Sequence, residues 1–316
     1  MPLTNASFQY YDSNVLRLSS AKRTEYHSQV DNLISELKKH IIDQSDLKIT
    51  KVVKAGSFAK YTILNKTTED SIDVDVVFYI SDQNIDSETL ENLNDLIYEL
   101  LTKIYPSKAI DDFTIQRRAA TVSFIKSGLD VDVVPVIQDK ENLEYGWQYD
   151  IKTGERNLTC APCHIDFVKN QKNKDKHYRT LVRMAKRWKN FAQPKGLKSF
   201  HIELILAFLQ NREGPTQSIE KRFCEFLMYI AQTKLNDRID FPENDSKTKK
   251  YFSDPVVIVD PANHENNVAS RITEDEKEKI AELALKAWET AIYASVENDE
   301  AVWKEIFGNK FKIKDQ

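Results

Sequence analysis

The sequence predicts an α/β protein of the α+β kind, with a mixed strand-and-helix half followed by a helical half. Three observations predict it. Apolar residues alternate with a period of two in short stretches between residues 51 and 137. From about Pro162 the apolar period becomes helical. Two of the alternating stretches also carry pairs of acids at the same spacing, Asp73/Asp75 and Asp130/Asp132. The length of 316 residues accommodates two modest domains, divided here into 1–160, a core with its N-terminal helix, and 161–316, a helical domain.

The elements follow in order. Tyr26, Val30, Leu33, Ile34, Leu37 and Ile41 fall at helical spacing and predict a helix over about 21–41. Residues 51–54 read as a short strand, and Ala55-Gly56-Ser57 as a tight turn into a helix near Phe58. Residues 72–80 are β-branched and alternating, a strand. Leu93, Leu96, Ile97, Leu100 and Ile104 share one face of a helix over 87–103, which Pro106 ends. Residues 121–125 and 129–137 read as a hairpin around Lys126-Ser127-Gly128. Helices follow over 164–170, 178–191, 199–210 and 219–233, with an irregular polar stretch over 237–257. The capping box Thr273-Glu274-Asp275-Glu276 opens the last long helix.

Composition excludes some classes. With 41% hydrophobic and 30% charged residues the chain has the balance of a globular protein with a wetted surface. No apolar run is long enough to span a bilayer, and the first residues lack a signal peptide's pattern, so no membrane role and a cytoplasmic location are expected. A net charge of −4 argues against a surface that tracks nucleic acid throughout, while leaving room for a local basic pocket. Three cysteines make a disulfide framework unexpected.

The acid pairs carry the chemistry. Residues i and i+2 of a strand point to one face, so Asp73 and Asp75 converge, and so do Asp130 and Asp132. Adjacent carboxylates repel unless something positive joins them. A hard divalent cation shared with phosphate fits that need, and a third carboxylate from a neighbouring strand is what a two-metal site requires. The Gly56-Ser57 turn, a strand leading into a helix start, offers N–H groups and a hydroxyl to an anion such as a triphosphate.

These motifs resemble the polymerase-β-like nucleotidyltransferase superfamily: Gly56-Ser57, the Asp73-Val74-Asp75 strand and the Asp130-Val131-Asp132-Val133-Val134-Pro135 strand. Residues 181–188, 198–204, 260–263 and 266–269 resemble the helical half of the branch that holds oligoadenylate synthases, cyclic GMP–AMP synthase and their bacterial anti-phage relatives. Within it the chain is most similar to cyclic-oligonucleotide synthases found with HORMA-domain regulators, several of which make cyclic tri-adenylate. The resemblance implies an oligoadenylate-synthase-like fold and a cyclic di- or trinucleotide made from ATP, with other nucleoside triphosphates as further substrates. It implies two Mg²⁺ ions, replaceable by Mn²⁺, on Asp73, Asp75 and Asp132, the catalytic carboxylates, with Asp130 a weaker candidate. Gly56 and Ser57 would hold triphosphate, Lys186 and Ser199 the donor phosphates, and Phe200 would stack on a base where relatives often have tyrosine. A HORMA-domain activator is the implied partner, and DNA a second candidate activating ligand. Two rival readings stay open: a linear oligoadenylate synthase or template-independent RNA nucleotidyltransferase, and a nucleotide-sensing module without catalysis.

The residues around Lys186 support this independently. Arg179, Arg183 and Lys186 make one stripe of a helix and Leu181, Ala185, Trp188 and Ala192 the opposite, buried one, so the cations are expected along a phosphate-filled cleft. Cys160-Ala161-Pro162-Cys163-His164 spells the c-type haem attachment pattern, but no metal is expected at any cysteine, since a second ligand pair is missing. Cys224 is expected in the core, and His177, His201 and His264 are expected to be ordinary hydrogen-bonded histidines. Trp288 and Trp303 are expected to anchor the C-terminal helices.

Overall fold

The computed structural model describes residues 3–65, 72–81, 87–244 and 249–314. In chain order the elements begin with α1 (Asn5–Tyr11) and a π-helical turn (Asp12–Leu16), then α2 (Ser20–Gln44), β1 (Ile49–Lys54), α3 (Gly56–Ala59), β2 (Ile72–Ile80) and α4 (Ser87–Ile104). After a 3₁₀ turn come β3 (Phe113–Ile115), β4 (Ala120–Phe124), β5 (Leu129–Gln138), β6 (Gly146–Asp150) and β7 (Glu155–Thr159). The helices α5 (Ala161–Lys174), α6 (Tyr178–Ala192), α7 (Ser199–Glu213) and α8 (Ile219–Thr233) follow. A short hairpin, β8 (Val259–Asp260) and β9 (Asn263–Asn267), leads to α9 (Glu274–Glu297) and α10 (Glu300–Phe307).

The chain divides into two compact units, one of residues 18–166 and one of residues 1–17 with 167–316. The first unit is a mixed sheet in the order β1-β2-β5-β4-β3, extended by β6 on β5 and β7 on β6. The central pair, β2 and β5, is parallel, and its neighbours β1 and β4 pair antiparallel. One face of the sheet is apolar because Val74, Val76, Phe78, Val131 and Val133 all point to it. Tyr26, Val30, Leu33, Leu37 and Ile41 of α2 and Ile97, Leu100 and Leu101 of α4 cover that face and form one core with it. Each fully buried Leu or Val contributes about 1.5–3 kcal/mol, so this layer sets where β2 and β5 sit. The Tyr26 hydroxyl donates to the Ser127 carbonyl at 2.9 Å and ties α2 to the β4–β5 turn.

In the second unit the first seventeen residues are integral, not an appendage of the strand half as the 1–160 division has them. Asp12 is the reason. Its carboxylate, 1% exposed, takes a two-pronged ion pair from Arg183 at 2.5 and 2.7 Å, a hydrogen bond from Thr180 at 3.0 Å, and one from Arg17. Burial would raise the Asp12 pKa, but the Arg183 and Arg17 guanidiniums outweigh it and hold the carboxyl below its ordinary value. Phe8 and Tyr11 join Trp303, Phe307 and Phe311 in an aromatic cluster, and the Tyr11 hydroxyl donates to the Phe307 carbonyl at 2.6 Å. Trp303 is thus the expected anchor of α10, while Trp288 is only half-buried and lines a cavity of about 430 Å³ with residues of α7 and α8.

One further expectation is corrected. Cys160 and Cys163 close a disulfide, because the start of α5 brings their Cα atoms to 5.2 Å, well within bridging range; Cys224 is free and buried. On α6, Arg179 of the predicted stripe is half-buried, while Arg183, Lys186 and the neighbouring Arg187 are buried. The three buried cations have partners inside the unit: Asp12 for Arg183, Glu203 for Lys186, and the Phe307 carbonyl for Arg187. Among the described residues no helix is long and apolar enough to cross a membrane.

Breaking a buried pair from one side leaves the other charge uncompensated. The substitution Asp12→Ala is therefore expected to destabilise the protein by about 3–5 kcal/mol, read as a lower midpoint in urea denaturation.

Candidate active site

The parallel pairing of β2 with β5 has a register that decides the site. Asp73 lies beside Asp130 and Asp75 beside Asp132. Residues at matched positions of neighbouring strands point to the same side, so four carboxylates occupy one face of the sheet while the valines between them enter the core. The edge of that cluster at Asp73 is exposed, and Asp75, Asp130 and Asp132 are half-buried.

Asp132 shows the electrostatic cost. Burial first, then the neighbouring charges of Asp75, Asp73 and Asp130, push its pKa up to about 6, although a hydrogen bond from Thr121 works against the rise. Its Oδ1 accepts from the Thr121 hydroxyl at 2.5 Å and from Gln116 Nε2 at 3.1 Å. Among the described residues no three His, Cys, Asp or Glu side chains are gathered into a metal-ligand cluster. The donor set nevertheless fits hard divalent cations: carboxylate oxygens only, on a rigid sheet, with one carboxyl pushed towards its neutral form by burial and then by its neighbours' charge.

Gly56 meets this face directly. It has φ +59°, and a Cβ there would stand 1.7 Å from Asp75 Oδ2. Only glycine suits both the backbone angle and the approach. The Ala55 N–H donates to the Asp75 carbonyl at 2.8 Å, which fixes the turn to β2. Ser57 is half-buried, and its carbonyl closes the short helix by accepting from Thr62 and Ile63. Gly56, Ser57, Asp73, Asp75, Asp130 and Asp132 are therefore assembled in one unit.

Lys186, Ser199 and Phe200 belong to the other unit. Lys186 Nζ pairs with Glu203 Oε1 at 2.9 Å, with both side chains at most 5% exposed. Ser199 and Glu203 lie one helical turn apart on α7, so Lys186 of α6 is held beside the turn that carries Ser199. His201 fixes the start of α7. Its Nδ1 accepts from the Lys198 N–H at 3.1 Å and its Nε2 donates to the Val268 carbonyl at 3.0 Å, the pattern of a neutral ring. Burial, the main cause, drives its pKa down to about 4.

Sequence reasoning missed Thr121, Gln116 and Glu203. Thr121 was within reach, because the β4–β5 hairpin that pairs Phe124 with Leu129 also sets Thr121 opposite Asp132. Gln116 sits beyond a turn and Glu203 on a separate helix, and neither has a spacing signal.

A nucleotidyltransferase of the polymerase-β-like class is what this strand pair defines, with its acids on one face and a glycine turn against them. Comparison with known proteins agrees. Residues 1–173 match the Second Messenger Oligonucleotide or Dinucleotide Synthetase domain. The chain is 55% identical over 316 residues to the CBASS oligonucleotide cyclase CdnC of Escherichia coli (strain KTE188), covering 100% of this chain and 99% of that one. It is 32% identical over 307 residues to a cyclic AMP-AMP-AMP synthase of Escherichia coli (strain MS 115-1), covering 94% of each. The solved structure of E. coli MS115-1 CdnC with ATP superposes with a TM-score of 0.83 at 29% identity, covering 98% of this chain and 99% of that one; the same protein in complex with HORMA-deltaN gives 0.82, covering 98% of each. The chain belongs to the second messenger oligonucleotide or dinucleotide synthetase family. It is a nucleotidyltransferase, a cyclic oligonucleotide synthase.

Two outcomes follow at this face. Gly56→Ala should reduce synthesis at least a hundredfold while leaving circular dichroism unchanged, because the added methyl displaces Asp75. Asp132→Asn should behave differently with pH. In the metal-free wild type the folded state keeps a proton on Asp132 that the unfolded chain has already lost between about pH 4 and 6, so stability falls across that window as pH rises. The Asn variant lacks this penalty, and above pH 6 its thermal melt should show a relative gain on the order of 3 kcal/mol.

Proposed function

We propose that the chain makes an adenine-containing cyclic oligonucleotide, cyclic tri-AMP, from ATP as an anti-phage (CBASS) second messenger. The in-register pairing of Asp75 with Asp132, against Gly56, is the observation that carries the reading of the site. The cyclic AMP-AMP-AMP synthase at 32% identity and the CdnC structure with ATP support the choice of product and substrate.

Asp73, Asp75 and Asp132 are the ligands for two Mg²⁺ ions, with Mn²⁺ as a substitute. Bound there, divalent cations supply Lewis-acid charge at the triphosphate and at the acceptor hydroxyl. The chain's own residues position the reactants. Ser57 and the Gly56 turn hold the donor triphosphate, Lys186 and Ser199 add contacts to its phosphates, and Phe200 stacks on a base. An acceptor ribose oxygen forms a bond to the α-phosphorus, and the bond to the β-phosphate breaks with loss of pyrophosphate. Transfer is repeated until the last attack is intramolecular and closes the ring. Positioning and preorganised charge provide most of the acceleration.

The HORMA-domain complex of CdnC supports a HORMA-domain protein as the partner; duplex DNA is the other candidate activating ligand. The test incubates the chain with all four nucleoside triphosphates and Mg²⁺, with and without the partner and DNA, followed by phosphatase and mass spectrometry. A phosphatase-resistant tri-adenylate is expected, absent in the Asp73→Asn/Asp75→Asn double variant. A phosphatase-sensitive ladder would show a linear synthase instead.

A further inference from the structure

The third carboxylate is built into a small hydrogen-bonded ring that the reaction as described does not use. Thr121 stands directly opposite Asp132 in the antiparallel β4–β5 register, and its hydroxyl donates to Asp132 Oδ1. Gln116 Nε2 donates twice, to Thr121 Oγ1 at 2.9 Å and to the same Asp132 Oδ1 at 3.1 Å. Donor counting leaves no freedom. A hydroxyl has one hydrogen and an amide nitrogen two, so the Thr121 proton must point at Asp132 while the Gln116 hydrogens divide between the two oxygens. Both bonds fall on Oδ1, which orients Asp132 and leaves Oδ2 as the oxygen for a cation.

The glutamine is itself held. Its N–H donates to the Ala119 carbonyl at 2.8 Å across the β3–β4 turn. The next two residues, Arg117 and Arg118, each donate Nε to a different oxygen of Asp150, at 3.0 and 3.2 Å. Asp150 has no exposure, and the Ile151 N–H closes the connection by donating to the Arg117 carbonyl at 3.0 Å. The turn carrying Gln116 is therefore fastened to β6, which pairs with the C-terminal end of β5 on the same side as β4.

We propose that Gln116 and Thr121 are positioning residues that fix the rotamer of Asp132 and so set the affinity of the site for divalent cations. This rests on the reading of Asp132 as a metal ligand. Partners of ligating carboxylates typically change metal affinity or activity by about 10–100-fold when removed. A threonine that served only the sheet would leave cation affinity untouched.

The test titrates Mn²⁺ into the full chain with a non-hydrolysable ATP analogue and follows free Mn²⁺ by electron paramagnetic resonance. Thr121→Val and Gln116→Leu should each weaken Mn²⁺ binding about tenfold and raise the Mg²⁺ concentration for half-maximal synthesis to match. Thr121→Ser, which keeps the hydroxyl, should bind as the wild type does. If Thr121→Val and Gln116→Leu bind Mn²⁺ normally while Asp132→Asn does not, the positioning role is overturned and the metal site stands. If Asp132→Asn also binds normally, or the wild type does not bind, the reading of Asp132 falls and the inference falls with it.

Discussion

Everything at the catalytic face depends on the parallel, in-register pairing of β2 with β5. One face of these two strands is a double row of valines under α2 and α4; the other begins with the two pairs of aspartates and continues with Val77, Tyr79, Val134 and Val136. Hydrophobic burial supplies the force that holds like charges together. A slip of one residue in the pairing would turn the valines outward and the acids into the core, so the register is fixed by the apolar face and the chemistry inherits it. The raised pKa of Asp132 is the residue of that conflict.

The second unit uses charge in the opposite sense. Its buried cations are each matched to an acceptor, and the matches run between distant parts of the chain: Asp12 with Arg183, Lys186 with Glu203, Arg187 with the Phe307 carbonyl. Replacing such pairs with apolar residues is often no loss in stability, so their best-attested use is to specify one arrangement. Lys186 illustrates the point. Glu203 fixes where its ammonium sits relative to Ser199, one helical turn along α7.

Much of the fold was legible because it is written in short-range periods. The helices 178–192, 199–213 and 219–233 and the strands 72–80 and 129–138 repeat over a few residues, and the Asp-x-Asp spacing states which side chains converge. What escaped reading lacks such a period. The β6–β7 hairpin is half polar, with Trp147 of β6 exposed and Glu155 and Arg156 at the start of β7. The ion pair of Arg183 on α6 escaped reading as well, because its partner Asp12 lies far away in the chain. The place of residues 1–17 depends on the same distant partner.

That placement has a consequence for how the protein is made. Residues 18–166 can complete their sheet and both covering helices soon after they leave the ribosome, since all their partners are already synthesised. The opening segment cannot. Phe8 and Tyr11 must wait for Trp303, Phe307 and Phe311, which follow the whole of the strand unit and the helices α5 to α9. A nascent chain therefore carries these aromatic rings unburied until α10 has emerged. The moment they dock is the moment the helical unit becomes whole.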